Sequence, residues 1–342
     1  MRVFWIDLLR IISATAVISV HAASPFYASL EPASVSWWFS NVLITIAKSA
    51  CTPVFVMIAG YVLLGKKSDY DNFYKSRAMR ILVPLVFWSI LYAIFSFIFL
   101  DNYSVKDLIW RMTAGMVLTG KTYFHLWYLS MFFWLMLLTP ILSKFVHGEK
   151  PDFTDVKVFF LIAIGFFIMA SLSNIKEAIS SEGIEWFSSF GIYIFYFMLG
   201  YLIPQYIDRI NISIKNLIFI YVAILLICMP LNFLAASAPN SDDNSIIGND
   251  TVFGFVSAIL FFTIFAKIQP GKAYSAVLGK MTQNSYGVYL IHPLILFFAL
   301  RVCKSLSLSP PVSILASIVV VSIASFLTVG LIRKSKFGRL IS

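Results

Sequence analysis

An arginine and a histidine share one face of an apolar N-terminal segment. Arg10 and His21 lie on a stretch that is otherwise apolar from Leu8 to Val20. In an α-helix their eleven-position separation is about 20° past three full turns and about 16 Å along the axis. Ionisable groups inside a membrane are costly and are normally kept for a site, a pathway or a buried partner. This face is therefore the first functional candidate, and Asp7, one turn before Arg10, is a partner for its charge.

The chemistry available to His21 is proton transfer. A neutral imidazole can take a proton from a hydroxyl and later return it, because its ordinary pKa is close to ambient pH. A histidine near the end of a helix can also serve packing alone. The residues by themselves leave both interpretations open.

The remaining histidines are sorted by their surroundings in the sequence. His125 opens a later apolar segment at its outer end and is followed by Trp127 and Tyr128, so it is either structural or substrate-lining. His292 precedes a proline inside another apolar segment, which favours a hydrogen-bonded packing role. His147 belongs to a charged stretch and is expected to be solvated.

Other cations define a second group of candidates. Arg77 and Arg80 are three positions apart, so they share a helix face on which two guanidinium groups can bind phosphates. The same cluster can simply set membrane topology. Lys48 lies in an apolar segment and needs a partner, a water-filled cavity or an outward-reaching conformation.

The composition identifies the elements that must position these residues. The chain has 342 residues, of which 60% are hydrophobic and 12% charged, which predicts an all-α polytopic membrane protein rather than a soluble domain. Apolar stretches of about 20 residues predict about ten transmembrane helices in a single domain, 1–342. Their centres are near Ala14, Val56, Ser89, Trp134, Phe166, Phe195, Leu225, Leu260, Leu294 and Val320. The stretch Lys66 to Arg80 is too polar to cross and is expected to form a helix at the membrane surface.

The distribution of charge predicts the orientation. Most of the 26 lysines and arginines fall on one side of the predicted spans, so both termini are expected to be cytoplasmic. The net charge of +10 is then a signal of topology and of anionic lipid, without a pattern typical of nucleic-acid binding. Cys51, Cys228 and Cys303 lie in apolar stretches, which indicates core residues rather than a disulfide or a metal site.

Several short motifs resemble one family of membrane enzymes. Arg10 and His21 with ten residues between them, and Arg77-Ala78-Met79-Arg80, resemble the R-x10-H and R-x-x-R patterns of the acyltransferase-3 family of integral membrane acyltransferases. Further matches are Pro53 to Tyr61, His125 to Leu129 and Asn284 to Pro293. The Met57 to Tyr61 variant, without a fused extracellular domain, is similar to compact surface-glycan O-acetyltransferases of the enterobacterial common antigen type.

The resemblance implies a function and assigns roles. It implies transfer of an acyl group, usually acetyl from cytosolic acetyl-CoA, to a hydroxyl of a cell-surface or lipid-linked glycan at the outer side of a bacterial cytoplasmic membrane. It implies that His21 is catalytic and that Arg10, Arg77 and Arg80 bind the CoA thioester. No metal is implied. Lys48, His125, Trp127, Tyr128 and His292 are then candidates for lining the substrate path.

The rival interpretation is a transporter or flippase of an anionic lipid-linked sugar. Such a protein would also carry Arg10, His21, Lys48 and His292 inside the membrane. It would be expected to show inverted repeats or paired broken helices, and the sequence displays neither. Nucleotide hydrolysis is unsupported, because the sequence has no phosphate-binding glycine loop.

Overall fold

The computed structural model describes six long stretches of the chain. They cover residues 3–65, 70–100, 123–148, 191–237, 246–268 and 276–342, together with the isolated positions 109, 112, 153, 157, 160, 161 and 164. Within these residues the regular structure is helical throughout and no β-strand occurs. The predicted all-α fold is confirmed.

The helices are numbered here in chain order. They are α1 (Phe4–Ser29), α2 (Val35–Ala50), α3 (Thr52–Leu64), α4 (Tyr70–Phe99), α5 (Trp127–Gly148), α6 (Gly191–Gln205), α7 (Ile214–Ala236), α8 (Val252–Lys267), α9 (Ala276–Ser305), α10 (Pro310–Ile332) and the short α11 (Gly338–Ile341). A single 3-10 turn, Ile207–Arg209, lies between α6 and α7.

The described residues contain seven helical segments long and apolar enough to cross a membrane, and α6 and α8 are shorter apolar helices. Nine of the ten predicted centres lie in these helices, and the tenth, Phe166, lies outside the described residues. The protein is therefore a polytopic membrane protein. The cytoplasmic location of both termini stays a prediction.

One predicted element is wrong in its boundaries. The stretch expected to form a separate surface helix, from Lys66 to Arg80, is from Tyr70 onward the first part of α4, which continues to Phe99. Phe73 is buried and the Tyr74 hydroxyl donates to the Leu137 carbonyl at 2.7 Å. These aromatic side chains therefore pack on α5 instead of anchoring a helix in lipid.

The span predicted around Val56 is a helix broken inside the membrane. Together α2 and α3 form one 30-residue crossing, Val35–Leu64, and the chain leaves helical geometry at Cys51 (φ −93°, ψ −115°). A break exposes carbonyls that lipid cannot satisfy. Here the Cys51 thiol donates at 3.3 Å to the Lys48 carbonyl, which is one of the last four carbonyls of α2. A side chain at the break thus satisfies one of the carbonyls that the break exposes.

Helices α1 and α9 lie side by side and run in the same direction. Near one end the Thr282 hydroxyl donates to the Asp7 carbonyl at 3.4 Å, and further along both helices His21 contacts His292. The sequence predicts α1 and α9 as the first and ninth spans. Odd-numbered spans cross the membrane in the same direction, so a parallel arrangement agrees with the predicted topology. The Tyr92 hydroxyl ties α4 to this pair by donating to the Leu290 carbonyl at 2.8 Å.

Two glycines let α3 and α6 touch through their backbones. A Cβ atom on Gly60 would overlap the Phe197 carbonyl oxygen, and one on Gly200 would overlap the Met57 carbonyl oxygen. Small residues allow such close approach between membrane helices, where packing rather than hydrophobic burial drives association. This contact holds α3 in place after the break at Cys51.

We expect Gly200→Ala to destabilise the protein. The added methyl forces α3 and α6 apart, and overpacking of this kind typically costs about 1–3 kcal/mol. Thermal unfolding of the purified protein in detergent would measure it. Gly148→Ala is the matched control, because a Cβ atom there meets nothing within 4 Å. Equal melting temperatures for the two variants would contradict the close contact.

Candidate active site

The expected ion pair between Asp7 and Arg10 is present on the face of α1 that also carries His21. Arg10 Nη1 lies 3.9 Å from Asp7 Oδ1, with the Asp7 side chain 6% exposed and that of Arg10 32% exposed. A carboxylate this buried is favourable only with a compensating charge. Asp7 therefore holds the Arg10 guanidinium at one end of α1 and confirms the predicted pairing.

Three histidines from three separate segments meet at the other end of this face. The His21 ring lies nearly parallel to that of His292, with centroids 5.3 Å apart and an interplanar angle of 23°. The His125 ring approaches His292 edge-on at 5.6 Å. His125 and His292 are almost completely buried, whereas His21 is partly exposed. The sequence predicted a special position for His21 and did not predict this cluster.

The orientation of His292 follows from the proline beside it. Pro293 has no N–H, so the carbonyl of Tyr289, four residues earlier, lacks its normal helical partner. His292 Nδ1 lies 2.7 Å from that carbonyl. Because a carbonyl oxygen only accepts, Nδ1 carries the proton and donates it. The packing role expected for His292 is thus real, and it also fixes the tautomer of the ring.

The ring nitrogens that face the cluster have no protein partner in the part of the chain described here. Nε2 of His292 and both ring nitrogens of His125 are buried without a hydrogen bond. The Leu290 carbonyl, which accepts the Tyr92 hydroxyl, lies near the His125 ring without meeting the geometry of a hydrogen bond to it. Buried polar atoms without a partner are costly in a stable fold and are a mark of functional sites.

His125 is positioned by its backbone. It precedes α5 in the turn 123–126, and its carbonyl accepts a short hydrogen bond from the Tyr289 hydroxyl. The neighbouring Phe124 ring lies 4.7 Å from that of His21 and 5.6 Å from that of His125. The turn thereby brings the His125 ring to within 5.6 Å of the His292 ring.

Lys48 lies on the broken helix. It is in the last turn of α2 and partly buried. The sequence left open whether Lys48 turns inward or reaches outward. Its partial burial and its electrostatic effect on His21 and Cys51 favour the inward arrangement, on the His21 side of the cluster.

Aromatic side chains occupy the space between Arg10 and the histidines. The Tyr128 phenol is close enough to Arg10 for an electrostatic interaction, and its ring lies 5.2 Å from that of Tyr289. The Tyr289 ring in turn lies 5.5 Å from His125 and 6.0 Å from His292. Trp127 packs on the other side of Tyr128, against Tyr193 at 5.6 Å. Arg10 and the cluster are thus connected by a row of tyrosines.

The remaining candidates lie away from the cluster. Arg80 is exposed on α4, and Arg77 is one turn earlier on the same helix, with its side chain outside the described residues.

The expectation that His147 is solvated is wrong. It is partly buried at the end of α5, and its Nε2 lies 2.8 Å from the Leu64 carbonyl at the end of α3.

The chemistry of the cluster is acid–base and nucleophilic. Imidazole nitrogens can take up a proton or attack a carbonyl carbon, and a nearby cation can stabilise developing negative charge. The three imidazoles therefore offer proton transfer and nucleophilic attack as chemical steps. Within the described residues no group of three or more histidine, cysteine or acidic side chains could hold a metal ion.

A family model supplies the reaction class. The model described as "Acyltransferase domain", that of the acyltransferase-3 family, matches residues 3–330. The chain belongs to the acyltransferase-3 family. A search of curated proteins and a search of solved structures each find no match to it. Membership of the acyltransferase-3 family makes the protein a membrane acyltransferase, with an acyl donor and an acceptor as its substrates.

We expect Tyr289→Phe to lower the rate of acyl transfer. The ring stays, but the hydroxyl that holds the His125 carbonyl is lost, and a displaced group in an active site can cost up to about a hundredfold in rate. Tyr196→Phe is the matched control, because its hydroxyl donates to the Asn249 carbonyl, away from the histidines. Acyl-transfer assays and melting curves on both variants would show equal destabilisation, but a slower reaction only for Tyr289→Phe. Equal rates would mean that the hydroxyl does not position the site.

Proposed function

We propose that the protein is a membrane O-acetyltransferase of a bacterial cytoplasmic membrane, with residues 1–342 forming a single transmembrane domain. It moves an acetyl group from cytosolic acetyl-CoA to a hydroxyl of a cell-surface or lipid-linked glycan at the outer side. His21 is the catalytic base or the transient acyl carrier. The observation that carries this proposal is the His21, His125 and His292 cluster, about 16 Å along α1 from Arg10, in a chain of the acyltransferase-3 family.

The distance between the basic end of α1 and the cluster supports a thioester donor. Phosphates require cations, and Arg10 with Arg77 and Arg80 supplies them on the predicted cytoplasmic side. The reactive end of CoA is a flexible arm that carries no charge, so it can extend past Tyr128 and Tyr289 toward the histidines. Only the uncharged part of the donor then enters the apolar interior.

The acceptor is proposed from the opposite side of the cluster. His125 and Phe124 belong to the turn before α5, at the predicted outer end of the helices. Glycan hydroxyls are weak nucleophiles that require a base, and the histidine nitrogens are the groups available to take the proton. Similarity to the compact surface-glycan branch, including the enterobacterial common antigen type, remains part of this proposal.

Transport is the second candidate, and the broken helix at Cys51 is the observation that favours it. Broken helices that bind substrates at mid-membrane are typical of transporters. Membership of an acyltransferase family assigns a chemical reaction to this chain instead. The break is compatible with that reaction as well, since Lys48, in the last turn before it, acts electrostatically on His21.

We expect His21→Ala to abolish acyl transfer while acyl-CoA binding is retained. Transfer of radioactive acetyl from acetyl-CoA to crude surface glycan would be followed with wild type and variant, and binding of acetyl-CoA measured on both. Loss of transfer with binding kept supports His21 as the chemical centre. If the variant transfers label at the wild-type rate, His21 has no part in the chemical step.

A parallel assay with succinyl-CoA would test the acetyl assignment. If the wild-type protein prefers succinyl-CoA, the acyltransferase activity stands and succinyl-CoA replaces acetyl-CoA as the proposed donor. A wild-type protein that is folded but neither binds acyl-CoA nor labels glycan would make transport the leading interpretation.

We expect Arg80→Ala to weaken acetyl-CoA binding severalfold and to reduce the salt dependence of that binding, because one phosphate contact is lost. Equilibrium binding at two ionic strengths would measure both effects. Arg301→Ala is the control. Arg301 is exposed near the other end of α9, where its guanidinium lies 4.1 Å from the Phe297 ring centroid. If Arg301→Ala weakens binding and Arg80→Ala does not, the proposed orientation is reversed.

A further inference from the structure

We propose that Nε2 of His292 accepts the hydrogen bond of the acceptor hydroxyl and takes its proton during transfer. This inference rests on the proposed function and, of the two roles proposed there for His21, assigns that of the base to His292. His21 then faces the acyl group. The observation that carries it is a buried ring nitrogen, Nε2 of His292, which has no partner in the described structure while the backbone holds the proton of the ring on Nδ1.

The backbone leaves His292 only one way to act. Its Nδ1–H is engaged by the Tyr289 carbonyl that Pro293 leaves free. A neutral imidazole has one N–H and one lone pair, so Nε2 is an acceptor. The three rings that contact His292 in the described structure do not satisfy this acceptor. The Tyr289 hydroxyl donates to the His125 carbonyl, and neither His21 nor His125 makes a hydrogen bond to Nε2.

Only one of the two substrates can donate a hydrogen bond to Nε2 of His292. At the reacting end of a thioester the carbonyl oxygen and the sulfur only accept hydrogen bonds. The acceptor hydroxyl is the reacting group that has a hydrogen to donate. An acceptor nitrogen in this position both orients the hydroxyl oxygen and removes its proton as that oxygen attacks.

His125 does not fit the same role equally well. Both of its ring nitrogens lack partners, so no hydrogen bond fixes which of them carries the proton. His292 is held from two sides: by its own helix through Nδ1, and by the nearly parallel His21 ring at 5.3 Å. A general base must keep one geometry, and His292 is the member of the cluster with that constraint.

The step balances without any further reactant. The acceptor oxygen forms a bond to the acyl carbon, and the hydroxyl proton passes to Nε2 of His292. The bond from the acyl carbon to its carrier breaks, and the electron pair leaves with the carrier atom. That atom is the CoA sulfur in direct transfer or a His21 nitrogen in a relay. The departing atom then takes the proton from His292, which returns to the neutral form.

His292→Asn separates the two functions of the ring. The Asn amide can donate to the Tyr289 carbonyl from near the position of Nδ1, but it has no atom in place of Nε2. We expect a folded protein with wild-type binding of acetyl-CoA and a transfer rate lowered by at least about a hundredfold, which is the usual range for loss of a general base. His147→Asn is the matched control. Its ring bonds the Leu64 carbonyl outside the site, so its transfer rate should equal that of the wild type.

Chemical rescue gives a measurement that a packing role would not change. In His292→Ala, added imidazole can occupy the lost ring's place and take the proton, so transfer should rise with imidazole concentration. The same imidazole should leave wild type and His147→Asn unaffected. If His292→Asn does not fold, the rescue of His292→Ala decides alone.

The failures of the two proposals are distinguishable. Two outcomes would overturn the role of His292 while the proposed acyltransferase function stands. One is a transfer rate of His292→Asn within about threefold of that of the wild type, and the other is a folded, inactive His292→Ala that imidazole does not rescue. A wild-type protein that neither binds acetyl-CoA nor transfers acetyl overturns the proposed function and this inference with it.

Discussion

The hydrogen bond from His292 Nδ1 to the Tyr289 carbonyl is the interaction on which the arrangement of the site depends. A membrane helix must satisfy its polar backbone groups within the protein, because lipid offers no partner. Pro293 removes one N–H, and the ring of the preceding residue replaces it. The side chain that repairs the helix is therefore fixed in orientation. From the same helical turn the Tyr289 hydroxyl donates to the His125 carbonyl, so this turn of α9 positions two of the three histidines.

The break at Cys51 follows the same rule. The Lys48 carbonyl, one of the last four of α2, accepts the Cys51 thiol, and the Ser49 hydroxyl pairs with that of Tyr221 at 2.6 Å. Lys48 itself lies in the last turn before the break. A side-chain donor thus bonds a backbone carbonyl at this break, as it does beside Pro293.

Sequence reasoning succeeded where one segment contains the whole signal. Apolar length predicted the membrane helices, helical spacing predicted the Asp7–Arg10 pair, and the surroundings of the three cysteines predicted free, buried thiols. Helical periodicity shows which residues share a face, but it does not show which other helix covers that face. For that reason the contact of His21 with His125 and His292 could not be predicted from the sequence. The His292-Pro293 dipeptide predicts a hydrogen-bonded histidine, since a donor next to a proline can replace the missing N–H, but it does not show which other rings that histidine meets.

The depth of the cluster separates the physical task of a membrane acyltransferase from that of a transporter. A transporter must move an entire charged or polar substrate past the apolar interior, and each charge there is expensive. With the histidines about 16 Å along α1 from Arg10, a donor whose phosphates stay at the basic end needs to insert only its uncharged arm. In the proposed reaction the acceptor hydroxyl approaches from the other side, so no glycan has to cross. The intramembrane cations and imidazoles would then hold and deprotonate reactants in a fixed place, and the backbone hydrogen bond of His292 suits that task.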